Sequence, residues 1–322
     1  MAKRPLISVV IPNYNDAEVV ESFYTKVKTH LEDQTDYDFE IIYVDDGSTD
    51  HSVKLLEKLD PHNPKFRFVE LYRNYGQQRA LFVGLKITKG DFVVTIDGDE
   101  QYSPKAITQL VDKMGQQYEM ASGIRAVRQD SWFGRKTSQI GKYLINNIIG
   151  IKIKDFGSVK SFSRSLVDRV KMNDNYNSDV YAAALSLHPS LVEVPSEHFA
   201  RKIGKSHWSL SKRVQLYLNL YVKYGDDQFA LVFNCGALMM ITAVVLSVVM
   251  SVWKIIAGHQ ESLFVILMTA IMIGISGLML LGWSVIASLI IKLYNQDSLS
   301  SDRMVRKIHV CAENNDNVGK SV

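Results

Sequence analysis

Asp97 and Asp99 stand two residues apart in the stretch Asp91-Phe-Val-Val-Thr-Ile-Asp-Gly-Asp-Glu-Gln101. In extended chain such residues point the same way, so two carboxylates can address one hard cation. Gly98 between them carries no side chain to keep a ligand away. A divalent ion such as Mg²⁺ or Mn²⁺ held there could face the phosphates of a nucleotide. Asp-Gly also favours ordinary acidic turns. The tripeptide alone does not separate the two readings, so the elements that carry it must decide.

Phe92–Ile96 is a short apolar and β-branched run, which predicts a buried strand ending at Asp97. Three earlier strands are predicted at Leu6–Ile11, Phe39–Val44 and Phe66–Tyr72. Helices alternate with them. The first is predicted to be capped by Asn15, with Asp16 and Glu18 in its first turn and Val19, Phe23, Val27 and Leu31 on its apolar stripe. The first strand ends at Pro12-Asn13-Tyr14-Asn15, the second at Asp45-Asp46-Gly47-Ser48-Thr49-Asp50 and the third at Asn74-Tyr75-Gly76-Gln77-Gln78. Alternation of strands and helices predicts an α/β fold with a doubly wound, mostly parallel sheet. The polar clusters then line its carboxyl edge, where such sheets bind ligands.

Downstream, Met120–Ile124 reads as a further strand ending at Arg125, with Arg128, Arg135 and Lys136 after it. Basic side chains there could offset a diphosphate, or Arg128 and Lys136 could simply be solvated. Asp155-Phe-Gly-Ser158 leads into a strand-like Val159–Phe162, and Leu191–Val194 is another short strand. Arg201-Lys-Ile-Gly-Lys205-Ser206 mixes cations, a hydroxyl and a glycine, a composition suited to wrapping a phosphate. His198 and His207 lack metal-ligand spacing and read as structural.

The last third changes character. Phe229–Trp253 and Ser262–Ile291 carry no charge, and each exceeds the ~20 apolar residues that a membrane span needs. Basic residues flank the pair on both sides, whereas the short link has only Lys254, so the N-terminal domain and both termini are expected in the cytoplasm. Residues 209–228 carry an aromatic stripe with lysines and an arginine off it, which predicts an amphipathic helix on the membrane surface. The expected organisation is therefore a catalytic domain over 1–208, the surface helix over 209–228, a membrane hairpin over 229–291 and a polar tail over 292–322, loosely ordered from Ser298 to Val322. The hairpin's helices are placed at about 229–253 and 262–291. A formal net charge of +3 over 322 residues excludes a general nucleic-acid binder. The two cysteines, Cys235 and Cys311, make no metal or disulfide pattern, and Cys235 reads as an inert buried thiol. Too few apolar residues precede Pro12 for a signal peptide.

With these motifs in this order over about residues 6 to 210, the chain resembles family 2 glycosyltransferases of the GT-A fold. It is most similar to the branch that transfers sugars to polyprenyl phosphates, including dolichyl-phosphate mannose synthases and bacterial polyprenyl-phosphate glucosyltransferases. The resemblance implies that Pro12, Tyr14, Asn15, Asp16 and Gly98 border the nucleotide-sugar. It implies that Asp46, with Asp45, bonds the base. Asp97, Asp99 and Gln101 would hold the metal. Arg125 and Arg135 would meet phosphates, Asp155 would lie at the reacting centre, and Arg201, Lys205 and Ser206 would close over donor or acceptor phosphates.

Three departures stand out. The metal motif usually reads Asp-Ala-Asp-Leu-Gln, and here Gly98 and Glu100 replace two of its residues. Lys160 stands where an Arg is usual, and Asp16 replaces the usual Glu. The processive Gln-x-x-Arg-Trp motif is missing, so one sugar per acceptor is expected. The implied partners are a nucleotide-sugar donor linked to UDP or GDP, a polyprenyl-phosphate acceptor such as undecaprenyl phosphate, and the bilayer, with homo-oligomerisation left open. The competing readings are transfer to another membrane acceptor, a non-catalytic nucleotide-sugar-binding protein, and a structural membrane anchor.

Overall fold

The computed structural model describes residues 3–115, 117–125, 146, 150–151, 153, 157–172, 179–197, 199, 230–257, 263–296 and 304–310. It divides into two compact units, one of residues Met1–Leu220 with Leu299–Val322 and the other of Tyr221–Ser298.

The first unit is a sheet with helices. Its strands are β1 (Leu6–Asn13), β2 (Asp38–Asp45), β3 (Phe66–Leu71), β4 (Phe92–Thr95), β5 (Met120–Arg125), β6 (Lys160–Ser163), β7 (Leu191–Ser196) and β8 (Val305–Val310). Its helices are α1 (Ala17–Glu32), α2 (Ser52–Leu59), α3 (Gln77–Ile87), α4 (Lys105–Met114), α5 (Arg164–Met172) and α6 (Val180–Leu185). The strand order is β7-β5-β6-β4-β1-β2-β3-β8. β4, β1, β2 and β3 run parallel side by side, and β5 and β7 are parallel. β6 and β8 run against their neighbours.

The central strands read as continuous apolar runs because helices cover both faces. Ile7, Val9, Val10 and Ile11 of β1 are fully buried. α1 lays Phe23, Val27 and Leu31 against this core, with Val20 and Tyr24 beside them. Each such burial contributes roughly 1.5–3 kcal/mol. That outweighs the ~1 kcal/mol a helix cap supplies, and α1 forms without one. Asn15 does not cap it, contrary to the sequence expectation. The N-cap is Asp16, whose side chain makes no capping hydrogen bond. Asn15 has a left-handed backbone, φ 51°, and its amide oxygen is committed to the loop after β2.

The second difference concerns the tail. Residues 298–322 were expected to be loosely ordered, yet β8 adds an antiparallel edge strand to β3. Met304 is buried and its carbonyl accepts the Tyr72 amide at 3.0 Å. His309 stacks on Phe68 with centroids 3.9 Å apart, and Arg306 pairs with Glu70 at 2.9 Å. A six-residue strand with two basic residues and one His has too weak an apolar alternation to stand out from a polar tail. The edge of β3 is what orders it.

The second unit holds α7 (Ala230–Ala257) and α8 (Leu263–Gln296). Both are longer than their predicted spans of 229–253 and 262–291. Stretches Asn234–Trp253 and Met268–Ile286 are long and apolar enough to cross a bilayer. Their apolar side chains, such as Leu238, Val245, Met272 and Trp283, face outward. The helices approach closely at two glycines: a Cβ on Gly236 would lie 2.9 Å from the Gly277 carbonyl oxygen. Small residues at such crossings are characteristic of helices packed in lipid. Cys235 is exposed on α7 rather than buried, because this helix turns most of its apolar surface outward.

Candidate functional site

The parallel set β4-β1-β2-β3 brings the ends of four strands to one edge. There the loops are joined by side chains bonding to the neighbouring loop's backbone. Asp45, fully buried, accepts from Asn13 Nδ2 at 2.8 Å, from the Ser48 amide at 2.9 Å and from Ser48 Oγ at 2.6 Å. Asn15 Oδ1 accepts the Thr49 amide at 2.8 Å. Asp50 accepts the Ala17 amide at 3.2 Å, at the start of α1. These bonds fix the β1 and β2 loops to each other.

Asp46 extends the lattice to the third loop. Its two oxygens accept the amides of Tyr75 and Gly76 at 2.7 and 2.8 Å. Burial pushes its carboxyl up to about 6, although both amides oppose the shift. Gly47, next along, has φ 67°, and a Cβ there would lie 2.3 Å from the Arg73 carbonyl carbon. Only glycine fits that left-handed position against the passing backbone.

The fourth strand end carries the acidic turn. Gln77, the first residue of α3, donates its side-chain amide to Asp97 Oδ1 at 2.6 Å. The Gln101 amide bonds Asp99 Oδ1 at 3.1 Å, and the Gln101 carbonyl accepts the Phe199 amide at 2.8 Å. Asp97, Gly98, Asp99 and Gln101 are all half-buried. Beside them, Lys160 of β6 bonds the Gly157 carbonyl at 2.6 Å and lies 4.7 Å from the centre of the Tyr181 ring. Burial lowers the Lys160 ammonium pKa, while Asp179 and Asp97 act in the opposite sense. Gly157 itself admits no side chain, since a Cβ would meet the Gly123 carbonyl oxygen at 1.6 Å.

The structure therefore gathers Asn13, Asn15, Asp45, Asp46, Asp97, Gly98, Asp99 and Gln101 at one sheet edge. Pro12 is buried there, Tyr14 is 41% exposed, and Asp16 begins α1. Arg125 ends β5. Its side chain and the residues Arg135, Asp155, Arg201, Lys205 and Ser206 lie outside the described residues, as does the expected surface helix over 209–228. Sequence reasoning assigned no role to Gln77. Its position just after Asn74-Tyr-Gly76, at the first turn of a helix facing a strand end, was the available signal.

A divalent cation fits the donor set. Among the described residues no cluster of three or more His, Cys, Asp or Glu converges. Asp97 and Asp99, with the adjacent Gln101, could hold such an ion with phosphate and water completing its ligand set. Mg²⁺ and Mn²⁺ are commonly bound in that way in nucleotide sites.

The profile of the family described as Glycosyl transferase family 2 matches residues 8–170, half of the chain and the whole set of strand ends above. The chain belongs to glycosyl transferase family 2. It is a glycosyltransferase, with a GT-A-like mixed, mostly parallel sheet followed by two long apolar helices. It is 28% identical over 292 residues to an undecaprenyl-phosphate 4-deoxy-4-formamido-L-arabinose transferase of Sodalis glossinidius (strain morsitans), covering 90% of this chain and 89% of that protein. A protein of the same name from Enterobacter sp. (strain 638) is 29% identical, over 79% of this chain and 78% of its own. In fold, this glycosyltransferase resembles a mannosyltransferase from Pyrobaculum calidifontis solved with GDP-Man and Mn²⁺. That match has a TM-score of 0.51 at 17% identity, and covers 92% of this chain and 89% of the other.

Proposed function

We propose that this glycosyltransferase moves one sugar from a UDP- or GDP-linked donor to a polyprenyl phosphate, undecaprenyl phosphate by preference, at the cytoplasmic face of a membrane. The observation that carries the reading is the joint presence of an Asp97-Gly-Asp99 turn at the donor edge of the sheet and two long apolar helices in one chain. The soluble donor meets the sheet edge while the isoprenoid stays in lipid. The names of the relatives from Sodalis and Enterobacter support the acceptor class.

In the reaction, an oxygen of the acceptor phosphate attacks the anomeric carbon. The bond from that carbon to the donor diphosphate breaks, and the nucleoside diphosphate leaves with the electron pair. Direct displacement inverts the anomeric carbon. A bound Mg²⁺ or Mn²⁺ would supply Lewis-acid offset of charge on the diphosphate. Asp97, Asp99 and Gln101 would hold that ion. Gln77 keeps Asp97 oriented. Asp46 offers remaining acceptor capacity toward an N–H of the base, and Asn15, Tyr14, Asp16 and Gly98 border the donor. Arg125, Arg135, Arg201, Lys205 and Ser206 are assigned to the phosphates. Asp155 orients the acceptor or takes a residual proton. A phosphate monoester has a second pKa of ~6, so the nucleophile is largely anionic at neutral pH and a strong base is less needed.

Topology follows the same reading. Both α7 and α8 lie between stretches assigned to the sheet unit, since β8 resumes the sheet after α8. An even number of crossings would return the chain to its starting side, and the basic flanks support the cytoplasm as that side. The test is radiolabel transfer from a panel of UDP- and GDP-sugars to undecaprenyl phosphate by the detergent-solubilised chain. One donor should give a labelled lipid. No labelled lipid with any donor would reject the proposal.

A further inference from the structure

We propose that Glu100 is a positioning residue, whose carboxylate tethers the Asp97–Gln101 turn to helix α1 and holds the two acidic side chains in binding geometry. Its backbone is left-handed, with φ 58°. Side chains other than glycine and asparagine rarely adopt that region. A strained conformation kept at a non-glycine residue implies that the side chain has work at that place. Here the carboxylate is 11% exposed and accepts from Lys26 Nζ of α1 at 2.6 Å, with the Ser22 hydroxyl as a second donor. Exposed ion pairs stabilise little. This one is charge-assisted, largely buried on its acidic side and doubly bonded, which strengthens it.

The position of the tether gives it a consequence. Gln77 fixes Asp97 from α3 on one side of the turn. Glu100 fixes the other end from α1. Asp99 lies between these anchor points, with its own oxygen on the Gln101 amide. α1 also follows directly on the Asn13–Asp16 loop, which is bonded to the β2 loop through Asn15 and Asp50. The tether therefore ties the loop assigned to the nucleotide to the turn assigned to its phosphates. The leucine usual at this motif position offers no such bond. The inference rests on the reading of Asp97 and Asp99 as metal-holding residues.

The test uses the full-length chain in detergent and two readouts. Mn²⁺ affinity with UDP or GDP present is read by electron paramagnetic resonance. Amide hydrogen exchange over Gly98–Gln101 is read without metal. Glu100→Gly relaxes the backbone and removes the tether together, whereas Lys26→Met removes the Lys26 bond and leaves the Glu100 backbone as it is, so the pair separates the two causes. Glu100→Gly and Lys26→Met should each weaken Mn²⁺ binding about tenfold, as loss of outer partners of metal ligands does, and should speed exchange in the turn. The swap Lys26→Glu with Glu100→Lys re-forms the pair and should restore slow exchange in the turn. Wild-type Mn²⁺ affinity and exchange in Glu100→Gly, with an unchanged melting temperature, would overturn the proposal. If the wild-type chain binds no Mn²⁺, the metal reading fails by itself, and the exchange rates alone decide whether the tether holds the turn.

Discussion

Gln77 reaches from the first turn of α3 to bond Asp97 at the end of β4, with 2.6 Å between amide nitrogen and carboxylate oxygen. The amide is neutral, so it orients the carboxylate without cancelling its charge. An ammonium at the same place would compete with a metal for the same lone pair. This choice of residue suits a carboxylate that must remain available to a cation.

Gln77→Ala should therefore reduce kcat/KM for the donor about tenfold, the loss of roughly one charged hydrogen bond. Gln77→Lys should be worse, because a fixed positive charge opposes cation binding. Steady-state kinetics at saturating acceptor check both. Equal activity of wild type and Gln77→Ala would remove this residue from the site's support.

Asp46 predicts a pH signature of unusual sign. Burial pushes its carboxyl up to about 6. Between about pH 4 and pH 6 the folded chain then keeps a proton that the unfolded chain has released, so its contribution to stability falls as pH rises. His30 and His309, held low by burial, act oppositely: they favour the neutral form, and their contribution rises with pH. The measurement is therefore a difference. The unfolding free energy of wild type minus that of Asp46→Asn should fall by up to roughly 3 kcal/mol from pH 4 to pH 6.5. A flat difference would contradict the burial argument.

β8 should stabilise the sheet through packing more than through charge. Met304 is 2% exposed, and Met304→Ala should cost roughly 2–5 kcal/mol. Arg306→Ala removes an exposed pair with Glu70 and should cost under ~1 kcal/mol. Thermal melts of the two variants should rank in that order.

The hairpin reading predicts where reporters fall. A reporter fused after Val322 should read as cytoplasmic, and one inserted at Gly258 as external. A bulky residue at Gly277 should split α7 from α8, because a Cβ there already meets the Gly236 carbonyl oxygen at 2.8 Å. Loss of membrane insertion in wild type, or an external reading at Val322, would mean that one apolar helix does not span.

The parallel core was legible because its strands are uninterrupted apolar runs and their ends are polar clusters at regular intervals. The acidic turn was legible for the same reason: Asp97 follows directly on a run of buried residues. What sequence could not show was which neighbours each polar group would find. Asn15 has the composition of a helix cap, but its left-handed backbone commits it to the β2 loop instead. Glu100 looked like an unassigned extra charge, and its partner Lys26 lies 74 residues earlier. β8 escaped notice because its order comes from an edge strand more than 200 residues away, as the Glu70–Arg306 separation of 236 shows. Contacts of that range leave no local periodicity.

The most direct test of the whole account sets undecaprenyl phosphate against diacylglycerol as acceptors for the purified chain, with Mg²⁺ or Mn²⁺ and the donor that a UDP- and GDP-sugar panel selects. Mass spectrometry of the lipid products should show undecaprenyl phosphate carrying one sugar, no sugar on diacylglycerol, and loss of the product in Asp99→Asn or with EDTA. Sugar on diacylglycerol alone, several sugars on one lipid, or full activity of Asp99→Asn in metal-free buffer would contradict it.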